Sequence, residues 1–306
     1  MSDEILRTPD DRFLGLPRFP WEPRYTDVAG VRIARIDEGP ADAPVALLLH
    51  GEPSWSFLYR KMIDPLLAAG FRVVAPDLVG FGRSDKPTDP RAYTYLAHVD
   101  WMKGLLRALD LRDITLFCQD WGGLIGLRLL AEEGDRFARA CAGNTYLPTG
   151  DERVPRAFHV WKTFALHSPL FPIGRIVSSG CARGTLSDVR AAYDAPFPTE
   201  RHKVGARVFP KLVPVRPDDP ASEANRAAWD ALRRWEKPFL TLFGRNDPIT
   251  RGAEKRLQER IPGAAGQPHA MLAGAGHFLQ EDVGAELAAR LIAWAKPTSA
   301  TPVVSR

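Results

Sequence analysis

Three side chains in this 306-residue chain are placed to break and remake a covalent bond together: Asp120, Asp247 and His277. Each follows an apolar run that reads as the end of a strand. Asp120 has Cys118 two residues before it and Gly122 two residues after it, a small-x-Asp-x-small spacing. Small neighbours let a strand and a helix pass closely while the turn between them lifts one side chain clear of the sheet. Residues 113–118 upstream have the composition of a buried parallel strand. Downstream, 122–133 show helical spacing of Leu124, Ile125, Leu127, Leu129 and Leu130. Asp247 follows the apolar run 239–243, inside Gly244-Arg245-Asn246-Asp247-Pro248, and His277 follows 270–272, inside Gly274-Ala275-Gly276-His277-Phe278.

An aspartate at such a turn implies a different reaction from a serine. A carboxylate, with a reference pKa of about 3.9, is ionised at neutral pH and needs no base before it attacks. Its natural target is a saturated carbon bearing a leaving group, and the product is a covalent alkyl ester. Water must then hydrolyse that ester, with His277 as base and Asp247 fixing its tautomer and stabilising the imidazolium. The ester carbonyl belongs to Asp120, so an oxyanion hole is expected from the backbone N–H groups of Trp121 and Glu52, the latter just after His50-Gly51. A departing halide needs hydrogen-bond donors in a dry pocket, which the indoles of Trp121 and Trp161 can supply. Each residue also has a plainer explanation. Asp120 could cap the following helix, Asp247 could be a turn residue, His277 a packed loop histidine, and Trp161 part of an apolar stripe with Phe158 and Ala165. The order acid, acid, histidine at successive strand ends favours the joint chemical reading, because open α/β sheets place their sites there and α/β-hydrolases use that order.

Strands and helices alternate as far as residue 146, as in a parallel α/β sheet with right-handed crossovers. An opening hairpin is expected over 24–28 and 31–37, strands over 43–49, 71–75 and 137–142, and helices over 54–69 and 93–109. From 147 to 217 only short helix-like pieces appear, broken by prolines, which reads as a helical insertion. The strand and helix pattern resumes from 218, with a closing helix over 283–294 and a tail expected to fray after Lys296. The division is therefore 1–146 and 218–306 for the core and 147–217 for the cap. Gly80-x-Gly82 follows a strand, but Asp85 stands where a third glycine would be and would repel a pyrophosphate, so the loop is read as a structural turn. The seven histidines include no His-Glu-x-x-His and there is no paired Cys-x-x-Cys, so no metal and no cofactor are expected. The 41 basic and 37 acidic residues give a net charge of +4 without a basic run, so no nucleic-acid partner is expected. No signal peptide or membrane span is read, and three cysteines fit a reducing, cytoplasmic setting. The expected partners are a small substrate, water and a product anion, handled by a monomer.

The motifs His50-Gly51-Glu52-Pro53-Ser54-Trp55, Gln119-Asp120-Trp121-Gly122-Gly123, Tyr193-Asp194-Ala195-Pro196-Phe197-Pro198 and Gly276-His277-Phe278-x-Gln280-Glu281 together resemble a haloalkane dehalogenase. The similarity runs from about Tyr25 to Trp294 and best fits the subfamily with a second halide-binding tryptophan in the cap. It implies an α/β-hydrolase fold, a mostly parallel sheet flanked by helices with an inserted helical cap. By resemblance the triad is Asp120, Asp247 and His277, the halide ligands are Trp121 and Trp161, and Phe158, Phe209 and Pro210 line the substrate cavity. Cys118 departs from the pattern, since many hydrolase elbows have glycine there. The nearest rival is an epoxide hydrolase, which shares the His-Gly-x-Pro and Asp-Trp-Gly stretches but protonates an alkoxide with two cap tyrosines, for which only Tyr146 and Tyr193 are available. A fluoroacetate-type dehalogenase would carry a cation in place of Trp121, and an esterase a serine in place of Asp120. A non-catalytic ligand-binding relative would have no use for His277 facing Asp120.

Overall fold

A computed structural model describes residues 4–295. Eight strands form its central sheet: β1 (Arg24–Val28), β2 (Val31–Glu38), β3 (Val45–Leu49), β4 (Arg72–Pro76), β5 (Ile114–Gln119), β6 (Phe137–Gly143), β7 (Phe239–Gly244) and β8 (Ala270–Leu272). Their spatial order is β8-β7-β6-β5-β3-β4-β2-β1. The β1–β2 and β2–β4 pairs are antiparallel and every other pair is parallel. Every residue of β3, β5 and β7 is buried, as expected of parallel strands covered on both faces.

Two helix groups provide that cover. α1 (Arg60–Ala68) packs with α10 (Leu279–Ala295), while α2 (Tyr95–Ala108) and α8 (Ser222–Leu232) pack on α3 (Trp121–Glu132); both α3 and α10 reach β6. Between β6 and α8 run four further helices, α4 (Arg156–His167), α5 (Ile173–Gly180), α6 (Ser187–Asp194) and α7 (Val204–Leu212), paired as α4 with α7 and α5 with α6. This layer meets the core through aromatic contacts: Tyr193 stands edge-on to Phe57, and Phe209 to Phe81. The remaining helix, α9 (Ala253–Arg260), packs on β7.

Three elements differ from the sequence reading. The helix expected over 54–69 starts later, as a 3-10 turn at Ser56–Tyr59 leading into α1, because the Ser54 hydroxyl donates to Gly51 O instead of capping a helix. The closing helix begins at Leu279 and breaks at Val283, where φ is −133°. A two-residue antiparallel pair, Ile5–Leu6 with Lys86–Pro87, was not expected and is too short to leave a periodic trace. The expectation about the tail after Lys296 lies outside the described residues. Among those described, no helix is long and apolar enough to cross a membrane.

Candidate active site

The turn between β5 and α3 holds Asp120 at φ 51° and ψ −125°. An L-residue pays about 1–3 kcal/mol for such a backbone, so surrounding bonds must hold it in place. Asp120 N–H donates to Asn144 O at 3.1 Å, and the Thr145 hydroxyl donates to Asp120 O at 2.7 Å. Backbone proximity explains the flanking glycines. A Cβ on Gly122 would fall 2.0 Å from Leu49 O, and one on Gly51 would fall 2.4 Å from Asp120 Cβ. Cys118 is tolerated because the helix makes the room instead: Gly126 lies opposite, and a Cβ there would approach Cys118 Cβ to 3.1 Å.

The two oxygens of the Asp120 carboxylate have different partners. Oδ1 accepts the Glu52 N–H at 2.8 Å, while Oδ2 lies 3.4 Å from His277 Nε2. His277 Nδ1 is 3.2 Å from Asp247 Oδ2. Asp247 is itself held by the Ile249 N–H at 2.9 Å and by the Thr250 hydroxyl. Of the two expected oxyanion donors, it is Glu52 N–H that reaches the carboxylate. Burial of His277 disfavours its charge, but the carboxylates of Asp247 and Asp120 prevail and raise its pKa to about 10. Burial also opposes the charge on Asp247, yet the imidazolium and its hydrogen bonds hold the pKa down at about 2. The raised histidine stabilises the fold fully below its ordinary value of 6.5, and that contribution disappears as pH climbs through about 10. Urea unfolding of the wild type should therefore weaken across this interval more than unfolding of His277→Gln, and parallel curves would show that the pair does not couple.

The histidine backbone is fixed from both sides. His277 N–H donates to Gly180 O at 2.7 Å, in the insertion. Its carbonyl accepts from Gln119 Nε2 at 3.0 Å and from Asn144 Nδ2 at 2.9 Å, in the core. Asn144 also donates to Gly276 O and accepts the Gly244 N–H through Oδ1, so one side chain links the ends of β6 and β7 to the histidine loop. Asp282 Oδ2 accepts both Gly276 N–H, at 2.8 Å, and Ala182 N–H, at 2.9 Å, joining that loop to the insertion. Losing a bond that leaves a buried donor unpaired costs about 1–3 kcal/mol. Asp282→Ala should thus lower stability by about that much in urea denaturation, with Asp282→Asn losing less. Sequence reading passed over Asn144, Gln119 and Asp282 as site-builders; the visible signal was the placement of Asn144 straight after an apolar strand.

A cavity of about 670 Å³ opens between the strand ends and the insertion. Asp120, His277, Glu52, Trp121, Trp161, Phe158 and Pro210 all line it. Trp121 is the first residue of α3 and is wedged by Tyr95 and Phe209, with ring centroids 5.1 and 4.6 Å away. Trp161 lies on α4 beside Phe164 and Phe171. Phe209 corrects the sequence reading: it is fully buried behind Trp121, against Phe81 and His98, and is not one of the cavity-lining residues. On α7 it is the adjacent Pro210 that faces the space. The wall also includes Leu124, Ile176 and Val213, which periodicity could not separate from ordinary core.

An aspartate on a strained strand–helix turn, 3.4 Å from a histidine that a second aspartate backs at 3.2 Å, is an arrangement that α/β-hydrolases place at their strand ends. Residues 44–282 match the family described as alpha/beta hydrolase fold. A haloalkane dehalogenase of Mycobacterium marinum is 57% identical over 296 residues, covering 95% of this chain and 99% of that protein. One from Psychrobacter cryohalolentis is 55% identical, covering 94% and 97%. Among solved structures, the tetrameric haloalkane dehalogenase DpaA from Paraglaciecola agarilytica NO2 superposes with a TM-score of 0.89 at 37% identity, covering 95% of this chain and 98% of its own. The chain belongs to the haloalkane dehalogenases.

Proposed function

We propose that Asp120, His277 and Asp247 carry out the hydrolytic dehalogenation that this membership assigns to the chain. The observation that carries the proposal is one line of contacts, Asp247 Oδ2 to His277 Nδ1 at 3.2 Å and His277 Nε2 to Asp120 Oδ2 at 3.4 Å. Asp120 displaces halide from a haloalkane carbon in line and becomes its alkyl ester. Trp121 and Trp161, one from the core and one from the insertion that acts as a cap, donate indole N–H groups to the halide. His277 then draws a proton from water, the water oxygen adds to Asp120 Cγ, and the Glu52 and Trp121 N–H groups receive the charge that develops on the ester oxygen. The alcohol leaves and the carboxylate is restored. No cofactor or metal takes part. We take a monomer as the working unit, and three free buried cysteines support a cytoplasmic setting.

Two features weigh against epoxide opening. Tyr193 is fully buried against Phe57 and does not line the cavity. Tyr146 does line it, but its hydroxyl donates to Glu152 at 2.9 Å. Purified protein should release halide from 1,2-dibromoethane or 1-bromobutane, read by a halide assay. No release across a broad panel, with styrene oxide turned over instead, would move the assignment to an epoxide hydrolase.

Alkylation also prepares the base. With Asp120 charged, His277 is held protonated, its pKa at about 10. Once Asp120 is an ester its charge and its acceptor role for the imidazolium are gone, so the His277 pKa falls and the ring can lose its proton. Stopped-flow rates of ester hydrolysis should rise with pH to a plateau whose midpoint lies below 10. A midpoint unchanged from that of the free enzyme would remove this coupling.

A further inference from the structure

The rim of the cavity differs from its floor in charge. At the floor Trp121 and His277 are buried and Asp120 is a fifth exposed, whereas Arg153, Arg251 and Arg256 line the same cavity and are exposed to solvent. They reach it from both sides: Arg153 from the insertion just before α4, Arg251 from the loop after Asp247, and Arg256 from α9. Neighbouring arginines have acidic partners. Arg226 pairs with Asp151 at 3.3 Å, and Arg260 stands 3.8 Å from Glu152. Arg153, Arg251 and Arg256 have no carboxylate partner among the described residues. Arg251 donates to Arg245 O at 3.4 Å, and the Arg256 guanidinium lies 5.7 Å from the Tyr146 ring centre. Glu152 shares this rim but is engaged elsewhere: it accepts the Tyr146 hydroxyl at 2.9 Å and the Thr149 hydroxyl at 3.2 Å, and it faces Arg260. Like charges around one opening repel, and an anion seated among them relieves that repulsion.

We propose that this rim binds the anionic end of a substrate, so that the chain hydrolyses haloalkanes carrying a carboxylate at the end away from the halogen. This deepens the reading above and rests on Asp120 as the nucleophile. Guanidinium groups present planar forks of donors that match a carboxylate, which is why arginine suits this task better than a point charge. A two-carbon dihalide fills only a small part of the 670 Å³ cavity, and Leu124, Ile176 and Val213 in its wall suit a methylene chain that joins floor to rim. The Asp120 charge does not bar such a substrate, because the His277 imidazolium 3.4 Å away balances it and leaves the arginines to set the field at the opening. The reaction itself is unchanged. Halide leaves with the bonding pair, the Asp120 oxygen takes its place on carbon, and water then restores the carboxylate, so the products are an ω-hydroxycarboxylate, halide and a proton.

The test compares ω-bromocarboxylates of about four to eight carbons with their primary amides, which match them in shape and lack the charge. The readout is kcat/KM for bromide release by the purified protein. An exposed arginine–carboxylate pair contributes up to about fivefold, so the best acid should exceed its amide by roughly 10-fold at low salt. That preference should shrink towards unity near 1 M salt, where charges are screened beyond about 3 Å. Arg153→Gln, Arg251→Gln and Arg256→Gln combined should erase the preference, while turnover of the amide reports that the floor is intact. If the combined variant fails to fold, each single variant should still lower the acid-to-amide ratio, and Arg256→Glu should lower it further than Arg256→Gln. Acids no better than their amides at every length overturn the proposal. So does a preference that salt does not reduce, and so does one that survives loss of the arginines. A wild type that releases bromide from neither series nor from 1-bromobutane sinks the Asp120 assignment instead.

Discussion

Asp120→Ala is expected to abolish halide release while leaving a folded protein. Removing a nucleophile outright costs about 10⁴–10⁶-fold, and no neighbour is placed to substitute. Burial, then the Asp120 charge, disfavours the charged form of Glu52, and Asp247 is turned away behind the histidine. Stability should change little, because the Asp120 side chain is a fifth exposed to the cavity and its removal opens no hole in the core. The fold instead relies on backbone bonds from Asn144 and Thr145 that alanine retains. Circular dichroism and a halide assay on one preparation check both halves. Residual multiple turnover by this variant would mean that another group attacks the carbon.

His277→Gln should separate the chemistry differently. Glutamine cannot serve as a base, so the first halide should still leave and the ester should persist. The expected result is one equivalent of halide per site, followed by turnover reduced by about 10²–10⁴-fold, the range ascribed to positioned general bases. Digestion would show an Asp120 peptide heavier by the alkyl group. Because the alkyl group is joined to Asp120 by a covalent ester bond, the trapped state should also survive denaturation, unlike a bound substrate. Steady turnover without an adduct would take His277 out of the hydrolytic step.

How much of this was legible before any coordinates turns on the kind of signal each residue leaves. The meeting of Asp120, His277 and Asp247 was readable because each follows an apolar run and is punctuated by glycine or proline, which marks strand ends in a parallel sheet. The central strands were readable for the same reason, since burial on both faces writes an unbroken apolar run, as in Val45–Leu49. Boundaries were less legible where side-chain bonds decided them, as with the Ser54 hydroxyl that turns back to Gly51 O. Phe209 and Pro210 show the limit most clearly. Adjacent on α7, they point in different directions, and only the docking of that helix against Trp121 determines which one faces the cavity. Asn144 and Asp282 left almost no trace, because a single amide or carboxylate joining backbone groups from distant segments has no period and no characteristic spacing. Glu52 was found through its backbone; its unpaired side-chain oxygen is visible only once the walls around it are assembled.

The bond from His277 N–H to Gly180 O constrains anyone wishing to exchange specificities by grafting segments between relatives. Residues 180–182 would have to travel with the acceptor scaffold, since a graft that shifts this carbonyl displaces the His277 ring even when its new walls fit the guest molecule. Tuning by transplantation is therefore better confined to α4 and the stretch before it, which shape the chamber without carrying the imidazole.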